Sequence, residues 1–437
     1  MKVLVIGSGG REHALVWALR KTARSKLDLY CAPGNAGIAD VAACVPIGVE
    51  DHEGLLEFAR TESIDLTIVG PEAPLAAGIV DRFQAAGLLI AGPSAAAARL
   101  EGSKAFAKEF MARHGIPTAA YKVVRSPTEV AEVLSSGAFG SSDSPVVLKA
   151  DGLAAGKGVV VAGTHAEAIS AAEQLVAGEL IDVSAAQQLV LEEALVGTEV
   201  SLLLFADGNH FALMPAARDH KRIGENDTGP NTGGMGAITD RSILSPDLLR
   251  RIVREVVEPT LLGSRTEGFP FHGVLFLGLM LTSQGPKLLE YNVRFGDPET
   301  QAILVRLRTS LVDIFQATIS GRLDELKIAW SDESSACVVL ASRGYPGKYE
   351  KGAVIKGLET KAVTDNSIVF HAGTAKSGMD DTLTAGGRVL GVTAVGGTLD
   401  EALRRCYSAV DHISWDGMQY RRDIGQFSKG WSKTGNP

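Results

Sequence analysis

Residues 1 to about 100 alternate strand-like and helix-like periods, and nothing else restricts the possible folds of this chain as strongly. Strand patterns fall at 2–6, 27–32, 65–69 and 88–91, with helical patterns at 11–22, 52–62 and 76–86 between them. Asp51 stands where the second helix needs an N-cap. Alternation at this spacing predicts a parallel, doubly wound sheet, whose ligands gather at the carboxyl ends of the strands. The first strand pattern runs into Gly7-Ser8-Gly9-Gly10-Arg11-Glu12. A dinucleotide fingerprint would put its third glycine at position 12, where Glu12 stands. The second strand pattern ends Cys31-Ala32-Pro33-Gly34-Asn35, without an acid for a ribose diol. Both facts disfavour NAD. Two readings are left: a tight strand-to-helix turn, or a turn whose free N–H groups and positive helix end suit a phosphate beside Arg11. Loops 33–37 and 70–74, expected at the same sheet edge, favour the ligand.

The length, 437 residues, leaves room for about three domains. With 45% hydrophobic and 22% charged residues, the chain is not disordered throughout. The best apolar run, 274–281, contains Gly278 and is far short of the roughly 18 residues of a membrane span. The start of the chain reads as a strand and not as a signal peptide. Four dispersed cysteines, Cys31, Cys44, Cys337 and Cys406, imply neither disulfides nor zinc, so a reduced cytoplasmic protein is expected. A net charge of −8 gives no support to nucleic-acid binding. Glycine makes up 49 of the 437 residues, an excess that points to many turns or to backbone lying against a ligand.

Beyond residue 100, Ser103 is placed to cap a helix ending at His114, with Gly115 and Pro117 as stop signals. Residues 120 to about 195 read as a smaller lobe, with strands at 146–149, 159–162 and 189–192, a helix at 166–177 and a polar loop at 137–145. From 196 to about 325 the strands lengthen (199–206, 273–281, 287–292) around a helix at 247–262. The C-terminal part holds strands at 336–341, 368–372 and 388–394 and a helix at 399–410.

Residues 146–161 carry a second glycine loop, Lys149-Ala150-Asp151-Gly152-Leu153-Ala154-Ala155-Gly156-Lys157-Gly158. Its spacing is not that of a Walker A loop, and a strand follows where a helix should. It reads as a flap between two strands that can close over a triphosphate, with Lys149 and Lys157 offsetting charge, or as a plain glycine-rich hairpin. The apolar flanks of Lys149 argue against a role purely in solvent. Further on, the junction from Glu192 to Glu199 offers free backbone groups to an adenine edge and a carboxylate to a ribose, although such acids also serve as caps. Glu290 and Asn292 lie two apart on one strand and share a face, a donor pair suited to Mg²⁺ or to simple solvent exposure. Arg294 and Asp297 follow at the strand end. Residues 218–236 are polar, glycine-rich and of mixed charge, so they read as a loop ordered around polar ligands or as a disordered surface loop.

Taken together, these segments resemble one family. GSGGREHAL from position 7, APGNAG from 32, VGPEAPL from 69, LEGSKAF from 100, KADGLAAGKGV from 149, DHKR from 219, DTGPNTGGMGA from 227 and EYNVRFGDPETQ from 290 are similar to the phosphoribosylamine–glycine ligases of the ATP-grasp superfamily. HAGT from 371 and GGRVLGVTA from 386 extend the likeness over nearly the whole chain. The resemblance implies an α/β and α+β multidomain fold: a Rossmann-like N-terminal domain (1–102), an ATP-grasp core (103–325) with a flap lobe inserted at about 120–195, and a small C-terminal α/β domain (326–430). It implies a monomeric ligase of purine synthesis that joins glycine to 5-phosphoribosylamine through glycyl phosphate, using ATP with Mg²⁺ or Mn²⁺. Lys104, Lys149, Asp151, Gly152, Gly156, Lys157 and Gly158 would hold ATP, with Glu192, Glu193, Ala194, Leu195 and Glu199 around its adenosine. Glu290 and Asn292 would bind the metal. Gly9, Gly10, Arg11, Glu12, Gly34, Asn35, Pro71 and Glu72 would receive phosphoribosylamine. Asp219, Lys221, Arg294 and Asp297, with Asn231 and Gly296, would surround glycine and the acyl phosphate. An ATP-grasp ligase with another acceptor, an NAD-dependent oxidoreductase and a non-catalytic nucleotide-binding regulator are the rival readings.

Overall fold

A computed structural model describes residues 1–153, 158–180, 183–365, 367–378 and 381–426. At the N-terminus five parallel strands form one sheet with Lys2–Gly7 in the middle. Asp28–Pro33 and Ala43–Cys44 lie on one side of it, Leu66–Val69 and Ile90–Ala91 on the other. Val3 to Ile6 are fully buried, as a central strand covered on both faces requires. The helix Gly10–Thr22 follows the first strand, and His52–Thr61 starts at Asp51, whose Oδ1 accepts from the Gly54 amide at 2.9 Å. The helix expected at 76–86 is instead two, Glu72–Ala76 and Ile79–Ala85. Gly78 between them takes a left-handed φ of +80° that interrupts the helix.

Ser103 closes the helix Ala95–Gly102 and caps Lys104–Arg113, accepting from the Phe106 amide at 3.1 Å. The lobe that follows is a four-stranded antiparallel sheet in the order Tyr121–Val124, Leu189–Glu193, Val146–Ala150, Val159–Ala162. Helices Pro127–Ser135 and His165–Val176 share its apolar core. The sequence patterns missed the first strand and helix of this lobe, which are short and only partly buried.

The largest sheet runs through the core and on into the C-terminal part. Its order is Gly285–Asn292, His272–Thr282, Thr198–Asp207, Ala217–Asp219, Gly236–Thr239, Ser334–Ala341, Arg388–Gly396, Ile368–His371. Segment 218–236 is therefore no continuous loop. Its ends pair into the sheet, and Arg222–Gly224 pairs with Thr228–Asn231 as a hairpin. Backbone pairing does not need the apolar alternation whose absence suggested a loop. The helix expected at 247–262 is divided into Pro246–Ile252, a π-helical turn Val253–Val257, and Glu258–Thr266. Pro259 has no N–H to return to the Glu255 carbonyl, so the α-helical ladder cannot run through it unbroken.

Beneath the core sheet, Phe205, Phe295 and Phe315 pack edge to face with centroids 6.0–6.3 Å apart, all at most 2% exposed. This aromatic knot fixes the strand end that carries Arg294 and Gly296. Phe205→Ala is expected to cost about 3–5 kcal/mol, read as a lower urea midpoint than wild type.

Candidate functional site

The Gly285–Asn292 strand brings Glu290 and Asn292 to one partly exposed face. Gly278 faces Glu290 in the neighbouring strand, where a Cβ would come within 3.1 Å of the Glu290 Cγ. Glu290 is held below the ordinary carboxylate range. Burial pushes it up, but Lys221, Lys149, Lys104 and Arg294 together outweigh burial. These four cations come from four different segments. Lys104 opens its helix and donates to the Gly152 carbonyl at 2.9 Å. Lys149 lies 2.9 Å from Glu192 and donates to the Leu289 carbonyl at 3.2 Å. Lys221 pairs with Glu199 at 2.6 Å. Arg294 reaches Glu101 at 2.8 Å, Glu72 at 3.3 Å and the Asn292 Oδ1 at 3.2 Å. Burial pushes the Asp219 carboxyl up to about 7, with Glu299 and Glu199 adding to the shift and Lys221 opposing it.

A second group of residues adjoins the first at the carboxyl ends of the parallel strands. Arg294 bridges the two through Glu72, whose helix starts after Pro71. Arg11 is buried, pairs with Glu12, donates to the Phe295 carbonyl at 3.2 Å and lies 4.0 Å from Glu72. Glu12 sits inside the glycine turn: Cβ atoms on Gly7 or Gly70 would lie 2.4 and 2.1 Å from its side chain. Its carboxylate accepts from the Gly9 N–H at 2.6 Å. That N–H is therefore not free, contrary to the expectation for this turn. Gly34, with φ +76°, donates its N–H to the Gly7 carbonyl at 3.1 Å. Asn35 donates to the carbonyls of Ser8 and His371, both at 2.8 Å, and accepts from the Gly37 and Ile38 amides. Asp297 accepts from Gln301 at 2.8 Å and pairs with Arg388 at 3.3 Å, close to Gly9. Gly296 has no room for a Cβ, which would come within 2.5 Å of Glu299. Asn231 is opposite Arg222 in the hairpin beside Lys221.

Several expected nucleotide residues serve local structure. The Asp151 carboxylate accepts from the Ser103 hydroxyl at 2.9 Å and the Ala105 amide at 2.7 Å, at the start of the Lys104 helix. Glu193 takes the Ala120 amide and the Lys287 ammonium, both at 3.0 Å. Gly152 lies against Ala185, and the Gly158 carbonyl accepts from the Ala150 amide at 2.7 Å. Ala194 and Leu195 are half-buried at the junction of the lobe with the core. Gly156 and Lys157 lie outside the described residues. Sequence reasoning missed Glu101, Lys108, Glu299, Gln301 and Arg388. Lys108 shares a helix face with Lys104 at a four-residue spacing, but nothing local announces its partner Glu192. Glu101, Glu299 and Gln301 lie inside motifs in which neighbouring residues carry the expected roles, and Arg388 lies in a motif with no expected role.

One ionised carboxylate and one amide oxygen form a hard-cation donor pair that phosphate oxygens can complete, and the cations around it suit a polyanion. Models for the N domain, the ATP-grasp (A) domain and the C domain of phosphoribosylglycinamide synthetase match residues 1–101, 102–300 and 335–427. The chain belongs to the phosphoribosylglycinamide synthetase family. It is 50% identical over 428 residues to the phosphoribosylamine–glycine ligase of Xanthomonas axonopodis pv. citri, covering 97% of both chains. The crystal structure of phosphoribosylamine–glycine ligase from Thermotoga maritima matches with a TM-score of 0.82 at 34% identity, covering 97% of this chain and 100% of that one. The biotin carboxylase domain of Hydrogenobacter thermophilus 2-oxoglutarate carboxylase, solved with MgADP and bicarbonate, shares the fold (TM-score 0.67, 16% identity, 96% and 91% covered). Phosphoribosylglycinamide synthetases are ATP-grasp ligases, and that class brings with it the use of ATP and a divalent cation. Among the described residues no helix is long and apolar enough to cross a membrane.

The Asp219 environment has a measurable consequence. Its folded pKa, about 7 against an ordinary 3.8, means that the native state binds more protons than the unfolded chain between about pH 4 and 7. The Asp219 contribution to stability therefore falls as pH rises through that window. Asp219→Asn should flatten the dependence, seen as a smaller drop in urea midpoint from pH 4.5 to pH 7.5 than in wild type.

Proposed function

We propose that the protein joins glycine to 5-phosphoribosylamine, consuming ATP and releasing glycinamide ribonucleotide, ADP and phosphate. The observation that carries this reading is the cation ring around Glu290 and Asn292, set directly against the Arg11–Glu72–Asp297 group of the N-terminal sheet. One group suits a triphosphate and the other a sugar phosphate with an amine. Carboxylates are poor acyl donors, so glycine is first activated. Its carboxylate oxygen attacks the γ-phosphorus, the bond to the β-bridging oxygen breaks, and glycyl phosphate and ADP form. Lys104, Lys149, Lys221 and Arg294 hold the charge that develops on the transferring group. Glu290 and Asn292 would hold the divalent cation, Mg²⁺ or Mn²⁺, which when bound neutralises the β- and γ-phosphates. The amine of phosphoribosylamine then attacks the acyl carbon, the carbon–oxygen bond to phosphate breaks, and inorganic phosphate leaves. Asp219, near neutrality, accepts the proton that the amine releases. Arg11, Glu72 and Asp297 orient the sugar phosphate from the first-domain side.

In this reading the chain divides at 1–102, 103–325 and 326–430, with residues 120–195 as the lobe that covers ATP. It acts as a cytoplasmic monomer on small molecules, without nucleic acid. ADP release should require both glycine and 5-phosphoribosylamine. Equal ATP turnover with either omitted would refute the ligase reading. Glu290→Ala should lower turnover by about 100-fold or more and keep sugar-phosphate binding. Normal activity of that variant at low Mg²⁺ would contradict the metal assignment.

A further inference from the structure

Lys108 takes no part in the reaction as derived above, yet it is 2% exposed and its ammonium lies 2.9 Å from the Glu192 Oε2. The other oxygen of Glu192 is 2.9 Å from Lys149, which is 6% exposed, while Glu192 itself is 2% exposed. Two buried ammonium groups thus share one buried carboxylate. Lys108 is further fixed by donating to the Thr118 hydroxyl at 2.7 Å, and that hydroxyl donates to the Leu288 carbonyl at 2.6 Å. Among the described residues Glu192 is the only carboxylate in ion-pair contact with Lys108. The Lys149 side differs: Oε1 of Glu192 receives no directed hydrogen bond despite the short separation. Lys149 is also among the strongest cations acting on Glu290.

We propose that Lys108 is a positioning residue for nucleotide binding: it neutralises Glu192, so that Lys149 is left free to meet the phosphates of ATP. The inference rests on the nucleotide reading of this cleft. Its physical basis is the cost of an unpaired buried charge. When Lys149 turns to a phosphate, it leaves Glu192, and only Lys108 prevents a buried carboxylate from being stranded. The triad holds one positive charge more than it can pair internally, and that surplus is available to the phosphates. Burial and the neighbouring Lys149 push the Lys108 ammonium down to about 8, the direction expected of two cations crowded on one anion. If Lys108 lost its charge, Glu192 would capture Lys149, and ATP would meet a lysine already neutralised.

The test is a double-mutant cycle on the full chain, with MgATP binding measured by calorimetry and KM measured for each substrate. Lys108→Met should weaken MgATP binding about tenfold or more and raise KM for ATP in parallel, while KM for glycine and phosphoribosylamine holds. In a Glu192→Gln background, where no carboxylate can capture Lys149, adding Lys108→Met should change MgATP affinity by less than about threefold. Lys108→Arg, which keeps the charge, should stay within about threefold of wild type. If Lys108→Met does not fold by circular dichroism, Lys108→Gln takes its place with the same expectations. Equal losses in both backgrounds, or a common rise in all three KM values, would overturn the role of Lys108. A wild type that binds no MgATP would overturn the nucleotide reading beneath it, whereas a Lys108→Met that binds like wild type overturns this inference alone.

Discussion

The site is organised by one electrostatic constraint: a half-buried carboxylate, Glu290, kept ionised against the cost of burial by four cations delivered from four segments of chain. Such a concentration of like charge is unfavourable unless anions are at hand, and the protein supplies them. Glu192 and Glu199 each hold a lysine, while Glu72 and Glu101 hold Arg294. In the proposed reaction these same cations meet the triphosphate. Low dielectric makes each of these contacts stronger than it would be in water. The overall charge of −8 has no bearing on this, because the field that matters is local.

The architecture follows from bringing these segments together. The lobe sheet carries Lys149 and Glu192, the helix after Ser103 carries Lys104 and Lys108, and the core sheet carries Glu290 and Glu199, with Lys221 just beyond its Ala217–Asp219 strand. The C-terminal part is joined to the same sheet through Ser334–Ala341. It contributes Arg388, which donates to the carbonyls of Gly233 and Asp297 and pairs with the Asp297 carboxylate. Asn35 makes the matching link from the N-terminal sheet to the His371 carbonyl. Gly10 lies where these parts converge, with no space for a Cβ against Gln301. Glycine at this turn thus answers a packing demand as well as a turn.

The sequence is a good guide wherever a periodic pattern coincides with burial. The N-terminal alternation, the Ser103 cap and the Glu290–Asn292 pair follow from side-chain spacing alone. It misleads where the backbone decides. Gly78 splits a helix, Pro259 interrupts another, and residues 218–236 pair into strands with no apolar alternation to announce it. The motifs point to Glu12, Asn35, Asp151 and Glu193 as ligand contacts, and in the fold their side chains also engage backbone groups and neighbouring charges. Lys108 and Arg388 were obscured for the opposite reason. Their partners, Glu192 and Asp297, are 84 and 91 residues away, and no local pattern marks a contact over that distance.

In the proposed reaction the cations around Glu290 activate a carboxylate by phosphoryl transfer. Glycine labelled with ¹⁸O in its carboxylate, turned over with ATP and 5-phosphoribosylamine, tests this directly by mass analysis of the released phosphate. Transfer of one labelled oxygen from glycine to inorganic phosphate is the predicted result. Unlabelled phosphate, with product still formed, would contradict it.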